Sequence, residues 1–410
     1  MKKPDGLSKV LIVSVILFAG AAFAFAIPAP KGLTLMAAFE GGTLYRTGQG
    51  EAGSYPVVML KGGWREMGRQ YGRLLSSDLK AFYTLAVEET LFGAGETYDH
   101  LLKISSGFFA PYPQKHKDFL YGMAETSGLT LEQHIMLNVV DPYVEIFGPD
   151  IEAKRLACSA IAAWGPYSLD GTLVMGRNYD YAIAYKKFNP FLAVVVMDAE
   201  GEPNKTASIH WIGTTLTQNG MNDKGIFLEL DTDMYTVSPT FRNRVPVVSL
   251  LLSFLQENST LDQIDASFAA NSSDFGCIIQ VADDSSAYSY EWPPYGVRRR
   301  SESGREGLLV ATNNFVPPLP EAWLAAGYPA EPAVEDKRRA HLLALGDSYK
   351  GRIDVTAMKE IMDVNYEDGG ARHARTIYQL IAVPGSRALW IRGFDYSDWV
   401  EIDLGALFAP

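Results

Sequence analysis

The stretch that decides the fold runs Cys158-Ser-Ala-Ile-Ala-Ala-Trp164, Ser168-Leu-Asp-Gly-Thr172, Leu173-Val-Met-Gly-Arg-Asn-Tyr-Asp180. Two runs of small and apolar residues flank Asp170-Gly171, a pair that signals a tight β-hairpin turn. A strand that begins at Cys158 would then be folded back upon, so Arg177 and Asp180 come to lie beside the cysteine. A thiol, a guanidinium and a carboxylate would share one end of a sheet. The guanidinium favours thiolate over thiol, and thiolate is the nucleophilic form. Asp180 would orient a nearby proton carrier.

Working outward, the 410 residues are enough for two or three domains or one large unit with a sizeable core. With 47% hydrophobic and 20% charged residues, the composition is that of an ordinary folded chain. A net charge of -12 argues against nucleic acid as a partner, because phosphate binding needs a basic patch. Arg298-Arg-Arg300 is too short to supply one.

At the amino terminus, Lys2, Lys3 and Lys9 precede an uncharged run from Val10 to Ile27, with Ala24-Phe25-Ala26 as a small-x-small cleavage candidate. This is the pattern of an export segment, either a cleaved signal peptide or an uncleaved membrane anchor. The expected location is exported: periplasmic, secreted or lumenal, with residues 10–27 as the alternative anchor. An exported chain can form disulfides, but it has only two cysteines, Cys158 and Cys277. Cys277 sits in the apolar run Phe275-Gly-Cys-Ile-Ile-Gln-Val281 and reads as a buried, inert thiol. Cys158 reads as free.

Hydrophobic spacing predicts a strand at Pro56–Leu60, a helix from about Trp64 to Tyr83, a second helical stretch to Phe92, and helices at Gln114–Thr126 and after Thr130. Thr130 and Gln133 form a capping box. Gly68 and Gly72, one turn apart, mark a close approach of another element. Residues 150–157 read as a linker. After Cys158 strands dominate: 191–197, 207–212, 225–230, 277–281, 287–291, 307–311, 376–383 and 388–392, with helices at 246–256, from 259 or 260, and at 355–362. Helices first and strands later point to sheets packed face to face with helices outside, an α+β fold, rather than alternating βαβ units.

Four places together resemble one family, the choloylglycine hydrolase and penicillin (isopenicillin N) acyltransferase group of N-terminal-nucleophile cysteine hydrolases. Gly62-Gly-Trp-Arg-Glu-Met-Gly68 with Gly72, and the run from Gly122 through Gly128 to Asn138, are similar to the pro-segment of the acyltransferase branch. Cys158 with Gly176-Arg-Asn-Tyr-Asp180 is similar to the nucleophile strand and its Arg-x-x-Asp partner. Asn219-Gly-Met-Asn-Asp-Lys-Gly225 resembles the turn before an active-site strand, and Thr312-Asn313-Asn314 resembles the oxyanion asparagine.

The resemblance implies a four-layer αββα sandwich with a mainly helical N-terminal pro-segment. Residues 1–27 would be the signal or anchor, 28–157 the pro-segment and 158–410 the catalytic domain. It implies cleavage between Ala157 and Cys158, after which the freed α-amine, with an ordinary pKa of about 7.7–8.0, serves as the base. Cys158 would attack, Asp180 would hold the amine, Arg177 would lie near the sulfur and Asn313 would donate to the oxyanion. Arg338 resembles a distal arginine that supports the site, although Lys337 and Arg339 are close neighbours and the preceding serine often seen in the family is absent. The chain departs from the family pattern at Glu229-Leu-Asp231-Thr232, where an asparagine is expected.

The implied activity is hydrolysis, or acyl transfer, of a linear amide in a small N-acyl substrate, with no cofactor and no metal. The alternative is a binding or scaffold protein that keeps the fold without the chemistry. His210 as a papain-like base is a further alternative. The aromatic stretch Tyr288–Tyr295 reads as packing rather than a ligand platform.

Overall fold

A computed structural model describes residues 30–48, 53–141, 158–214, 217–233, 243–330 and 336–409. The export segment, the 150–157 linker and Ala157 lie outside the described residues.

The strands, in chain order, are β1 Leu33–Phe39, β2 Gly42–Thr47, β3 Pro56–Gly62, β4 Ser159–Ala163, β5 Val174–Asp180, β6 Leu192–Ala199, β7 Thr206–Trp211, β8 Asn219–Asn222, β9 Phe227–Thr232, β10 Cys277–Ala282, β11 Ala287–Trp292, β12 Arg298–Arg300, β13 Leu308–Ala311, β14 Thr376–Val383, β15 Ala388–Gly393 and β16 Val400–Asp403. They form one sheet in the order β1-β2-β3-β6-β7-β8-β9-β10-β11-β12 and a second in the order β13-β4-β5-β14-β15-β16. Neighbours run antiparallel except β3 and β6, which pair in parallel from Val57↔Val194 to Gly62↔Ala199. The helices are α1 Trp64–Leu74, α2 Ser76–Tyr83, α3 Tyr98–Phe109, α4 Gln114–Ser127, α5 Leu131–Leu137, α6 Val247–Glu257, α7 Leu261–Ala270, α8 Glu321–Ala325, α9 Lys337–Ser348, α10 Val355–Asp363 and α11 Leu404–Phe408. The molecule is thus α+β, as its strand and helix pattern predicts.

Side-chain alternation shows what each strand face meets. On β9 and β10, Leu228, Leu230, Cys277, Ile279 and Val281 pack in one apolar cluster with Leu251, Phe254 and Phe268 of α6 and α7. The intervening Glu229, Asp231 and Gln280 therefore point the other way, and all three are fully buried. On the six-stranded sheet, Ile161, Val174 and Ile381 pack with Leu342, Met358 and Ile361 of α9 and α10. Arg177 and Tyr378 lie on the opposite face and reach Asn219 of β8 in the ten-stranded sheet. Polar groups from both sheets meet at the end of β5.

The glycine pair has the packing role read from its spacing. A Cβ on Gly68 would stand 2.1 Å from the Phe119 carbonyl oxygen, and one on Gly72 would stand 2.5 Å from that of Met123. Only glycine lets α1 and α4 approach so closely. Gly128, in the left-handed region at φ 79°, ends α4, and the Thr130 capping box opens α5.

Several local expectations are corrected. Asp170-Gly171 does not make a tight two-residue turn. β4 and β5 do pair antiparallel, Ser159↔Asn178 and Ala160↔Arg177, but through a connection that includes a short helix at Gly165–Tyr167, with Asp170 Oδ1 accepting from the Thr172 amide at 2.9 Å. The helix expected over Trp64–Tyr83 breaks at Leu75, whose φ of -107° and ψ of 15° are not helical. Residues 84–92 wind as a π-helix. β1, β2, β8, β12, β16 and helices α3, α8, α9 and α11 have no counterpart among the expected elements. The exposed β1, with Leu35 and Met36 open to solvent, lacks the polar alternation that marks a half-buried strand.

Candidate active site

Cys158 precedes β4, and the pairing Ala160↔Arg177 brings the far end of β5 beside it. Cys158 is buried, at 8% exposed. Arg177 Nη2 lies 3.6 Å from Cys158 Sγ, and Sγ lies 3.8 Å from the Asp180 carbonyl oxygen. The hairpin thus sets the guanidinium on the sulfur, as its two apolar runs suggest. Burial pushes the thiol well above its ordinary range, Arg177 pulls it down, and Asp231 and Asp180 push it up.

Arg177 is itself buried and closely held. Its Nη1 donates to Asn219 Oδ1 and its Nη2 to the Leu230 carbonyl, while the guanidinium sits 5.1 Å from the centre of the Tyr179 ring. Tyr179 stacks on Tyr378 at 4.4 Å with 6° between planes. Nε approaches Glu229 Oε2 to 2.8 Å and Asp231 Oδ1 to 3.9 Å, but the N–H does not point at either oxygen.

Arg338, near the start of α9, ties the remaining groups together. Its Nη1 donates to the Cys158 carbonyl at 3.0 Å and lies 3.5 Å from Asp180 Oδ2. Its Nη2 donates to Asn313 Oδ1 at 3.1 Å. Asp336, the helix cap, receives Arg338 Nε at 2.9 Å and Nη2 at 2.7 Å. That bidentate grip fixes the guanidinium plane and answers which of the three consecutive basic residues faces the site. Arg339 instead pairs with Glu302.

Asp180 accepts Thr376 Oγ1 at 2.6 Å on Oδ1. On Oδ2 it meets Arg338 and, at 3.2 Å, His373 Nε2. The Arg375 amide donates to His373 Nδ1 at 3.1 Å, so the neutral ring carries its proton on Nε2, facing Asp180. Asn313 Nδ2 donates to the Thr232 carbonyl at 2.6 Å, which leaves its second N–H free of that bond. Cys158, Arg177, Asp180, Asn313 and Arg338 are therefore one connected cluster.

Thr376, His373 and Tyr378 join this cluster although no sequence motif marks them, and Asn219, which the sequence places in a turn, joins it from the short strand β8. An Asn-Gly pair masks a strand when only local turn statistics are weighed. His373 and Thr376 carry no local signal, since the fold alone brings the start of β14 to β5, Thr376↔Asp180.

His210 is not placed as a base for the cysteine. It is buried against Trp211, 5.0 Å between ring centres, with Nε2 3.6 Å from Asp141 Oδ2, and burial pulls its pKa down to about 3. Asp141, the last residue described before the linker, also accepts from Tyr179 at 2.7 Å and from Gln218. Cys277 is buried and free, its thiol donating to the Trp292 carbonyl at 3.6 Å. Tyr290 and Trp292 pack on Phe268, so the aromatic stretch is core. Among the described residues no group of three or more His, Cys, Asp or Glu is arranged to hold a metal ion.

The chain is similar to several solved structures at low sequence identity. One is a Caenorhabditis elegans orthologue of N-acylethanolamine-hydrolyzing acid amidase, at TM-score 0.40 and 18% identity over 56% of this chain and 93% of that one. A variant of the conjugated bile acid hydrolase from Clostridium perfringens gives 0.41 and 14% over 60% and 92%. Penicillin V acylase from Agrobacterium tumefaciens gives 0.35 and 9% over 60% and 86%. No family model matches the chain, and no curated protein does.

Proposed function

We propose that this chain is an exported, self-processing cysteine amidohydrolase or acyltransferase that cleaves the C–N bond of a small N-acyl amide. The observation that carries the reading is the convergence on Cys158: Arg177 at its sulfur, Arg338 on its carbonyl oxygen, and Asp180 between Arg338, His373 and Thr376. A cysteine buried only for packing has no use for two buried arginines, each costly to desolvate. The proposed layering is a four-layer αββα sandwich, with residues 28–157 as pro-segment and 158–410 as the catalytic chain. Residues 10–27 would export the chain or anchor it.

In the first step the Cys158 thiol attacks the Ala157 carbonyl carbon. The peptide C–N bond breaks as the thioester C–S bond forms, and the nitrogen, gaining the thiol proton, becomes the free α-amine of Cys158. Water hydrolyses the thioester and leaves a carboxylate on Ala157. In turnover the amine takes the thiol proton and the sulfur attacks the substrate carbonyl. Asn313, through its remaining N–H, donates to the oxyanion. The amine passes its proton to the leaving nitrogen, and water or an acceptor amine resolves the acyl-enzyme. Asp180 orients the amine, and Arg177 favours the thiolate.

A panel of N-acyl amides of varied chain length and head group, assayed with the mature protein and with Cys158→Ala, tests the reading. Turnover with the first and none with the second is expected; equal turnover by both contradicts it. Cys158's burial and raised thiol pKa favour a second reading, a binding or scaffold protein with an inert thiol. Such a thiol would react with iodoacetamide no faster than a peptide cysteine, whereas the processed enzyme's would react faster.

A further inference from the structure

Glu229 and Asp231 occupy the place where the sequence departs from its expected asparagine. They are two apart on β9 and so project from one face, both fully buried. Among the described residues, none of their four carboxyl oxygens receives a well-aligned N–H or O–H. The groups packed around them are few. In register, β8 offers Asn219 and β10 offers Gln280 opposite Glu229. Arg177 from β5, Arg338 from α9, Asp180 and Cys158 supply the ionisable neighbours, and Tyr378 of β14 faces Arg177. Asn219 already serves Arg177 and Tyr378. Both carboxyls face the same guanidinium nitrogen, Arg177 Nε, with Glu229 Oε2 at 2.8 Å and Asp231 Oδ1 at 3.9 Å.

Arg338 is already engaged by Asp336 and Asp180, so two carboxylates on one nitrogen of the remaining guanidinium, in a dry site, cannot both ionise. A proton held between them supplies the donor that both lack, as an O–H···O⁻ bond. We propose that Glu229 and Asp231 share one proton and act as positioning residues that set the charge Arg177 presents to the Cys158 sulfur. This inference rests on the amidohydrolase reading for its use but not for its test.

With one shared proton, Arg177 and the pair sum to zero charge. Loss of that proton as pH rises would leave a net negative charge beside Sγ and oppose the thiolate. Burial is the chief cause that raises both carboxyls, Glu229 well above its ordinary range and Asp231 to about 6. At neutral pH the proton is held between the pair, and one negative charge faces Arg177 whichever carboxyl carries it.

The test is Cys158 alkylation by iodoacetamide against pH, read by peptide mapping in the wild type, Glu229→Gln, Asp231→Asn and the double variant. An amide at 229 mimics the protonated carboxyl, since its N–H still donates to Asp231, so the alkylation midpoint should stay with the wild type. Asparagine at 231 does the same toward Glu229, which then carries the one charge, so its midpoint should also stay with the wild type. The double variant Glu229→Gln/Asp231→Asn removes that charge, so its midpoint should move to lower pH and alkylation at neutral pH should become several-fold faster. A shift in either single variant as large as that of the double variant, or no shift in the double variant, would overturn the proposal. Should the double variant not fold, the infrared difference between wild type and Glu229→Gln at pH 7.5 decides. A protonated-carboxyl C=O stretch lost in the variant supports the shared proton, and its absence from the wild type contradicts it. Failure on every N-acyl amide would leave these readouts untouched, so the two readings fail separately.

Discussion

Arg338 Nη1 donates to the carbonyl oxygen of Cys158 at 3.0 Å, across 180 positions of sequence. The same guanidinium holds Asn313 and is gripped by Asp336, so one side chain fixes the backbone of the nucleophile and the side chain of the proposed oxyanion donor. Arg338→Ala would leave the buried Asp180 short of a partner. Removing one member of such a buried pair costs about 3–5 kcal/mol, and denaturant unfolding should show a loss of that order. Arg338→Lys keeps a charge but not the planar fork. It should fold, with turnover reduced more than KM is raised.

Asn313→Ala removes the proposed oxyanion donor and the bond to the Thr232 carbonyl. The loss of one such donor typically lowers kcat about 10²- to 10³-fold. Steady-state kinetics should place the loss in kcat, with KM little changed. A loss confined to KM would assign Asn313 to substrate binding instead.

Gly68→Ala tests the helix contact beneath the ten-stranded sheet. The new Cβ would meet backbone, the Phe119 carbonyl at 2.1 Å, which has no flexible end to yield. Overpacking usually costs about 1–3 kcal/mol, and this contact should reach at least the upper end in a thermal melt. Gly63→Ala, where a Cβ meets nothing within 4 Å, serves as the control.

His116 joins α4 to α6 through Ser249, 2.7 Å from Nδ1 to Oγ, and burial pulls its pKa down to about 3. Because the native state resists the proton that the unfolded chain accepts near 6.5, this histidine's contribution is present above 6.5 and lost as pH falls toward 3. His116→Gln should destabilise at pH 7.5. That deficit should shrink by about 1.4 kcal/mol for each pH unit below 6.5, as read by denaturant melts from pH 7.5 to 4.5.

What the sequence disclosed follows from how local its signals are. The strands after Cys158 announce themselves because β10 and β14 are mostly apolar runs buried at every position, and the helix ends at Gly128 and Thr130 carry their own capping chemistry. Arg177 and Asp180 could be placed near Cys158 because one hairpin register links all three. Asn219, Thr376 and His373 were invisible for the opposite reason. Asn219 reaches Arg177 only across the two sheets, Thr376 and His373 reach Asp180 only because β14 pairs with β5, and a buried Thr or His looks like any other in a linear chain. The roles of Glu229 and Asp231 emerge only once alternation turns them toward Arg177 rather than toward α6.

The central claim is that Cys158 is both nucleophile and, after cleavage, amino terminus. Intact mass with amino-terminal sequencing of the mature protein tests it most directly. The account predicts two chains, one beginning at Cys158, in the wild type, and a single uncut chain in Cys158→Ala. A wild-type protein isolated as one chain with Cys158 internal would contradict it.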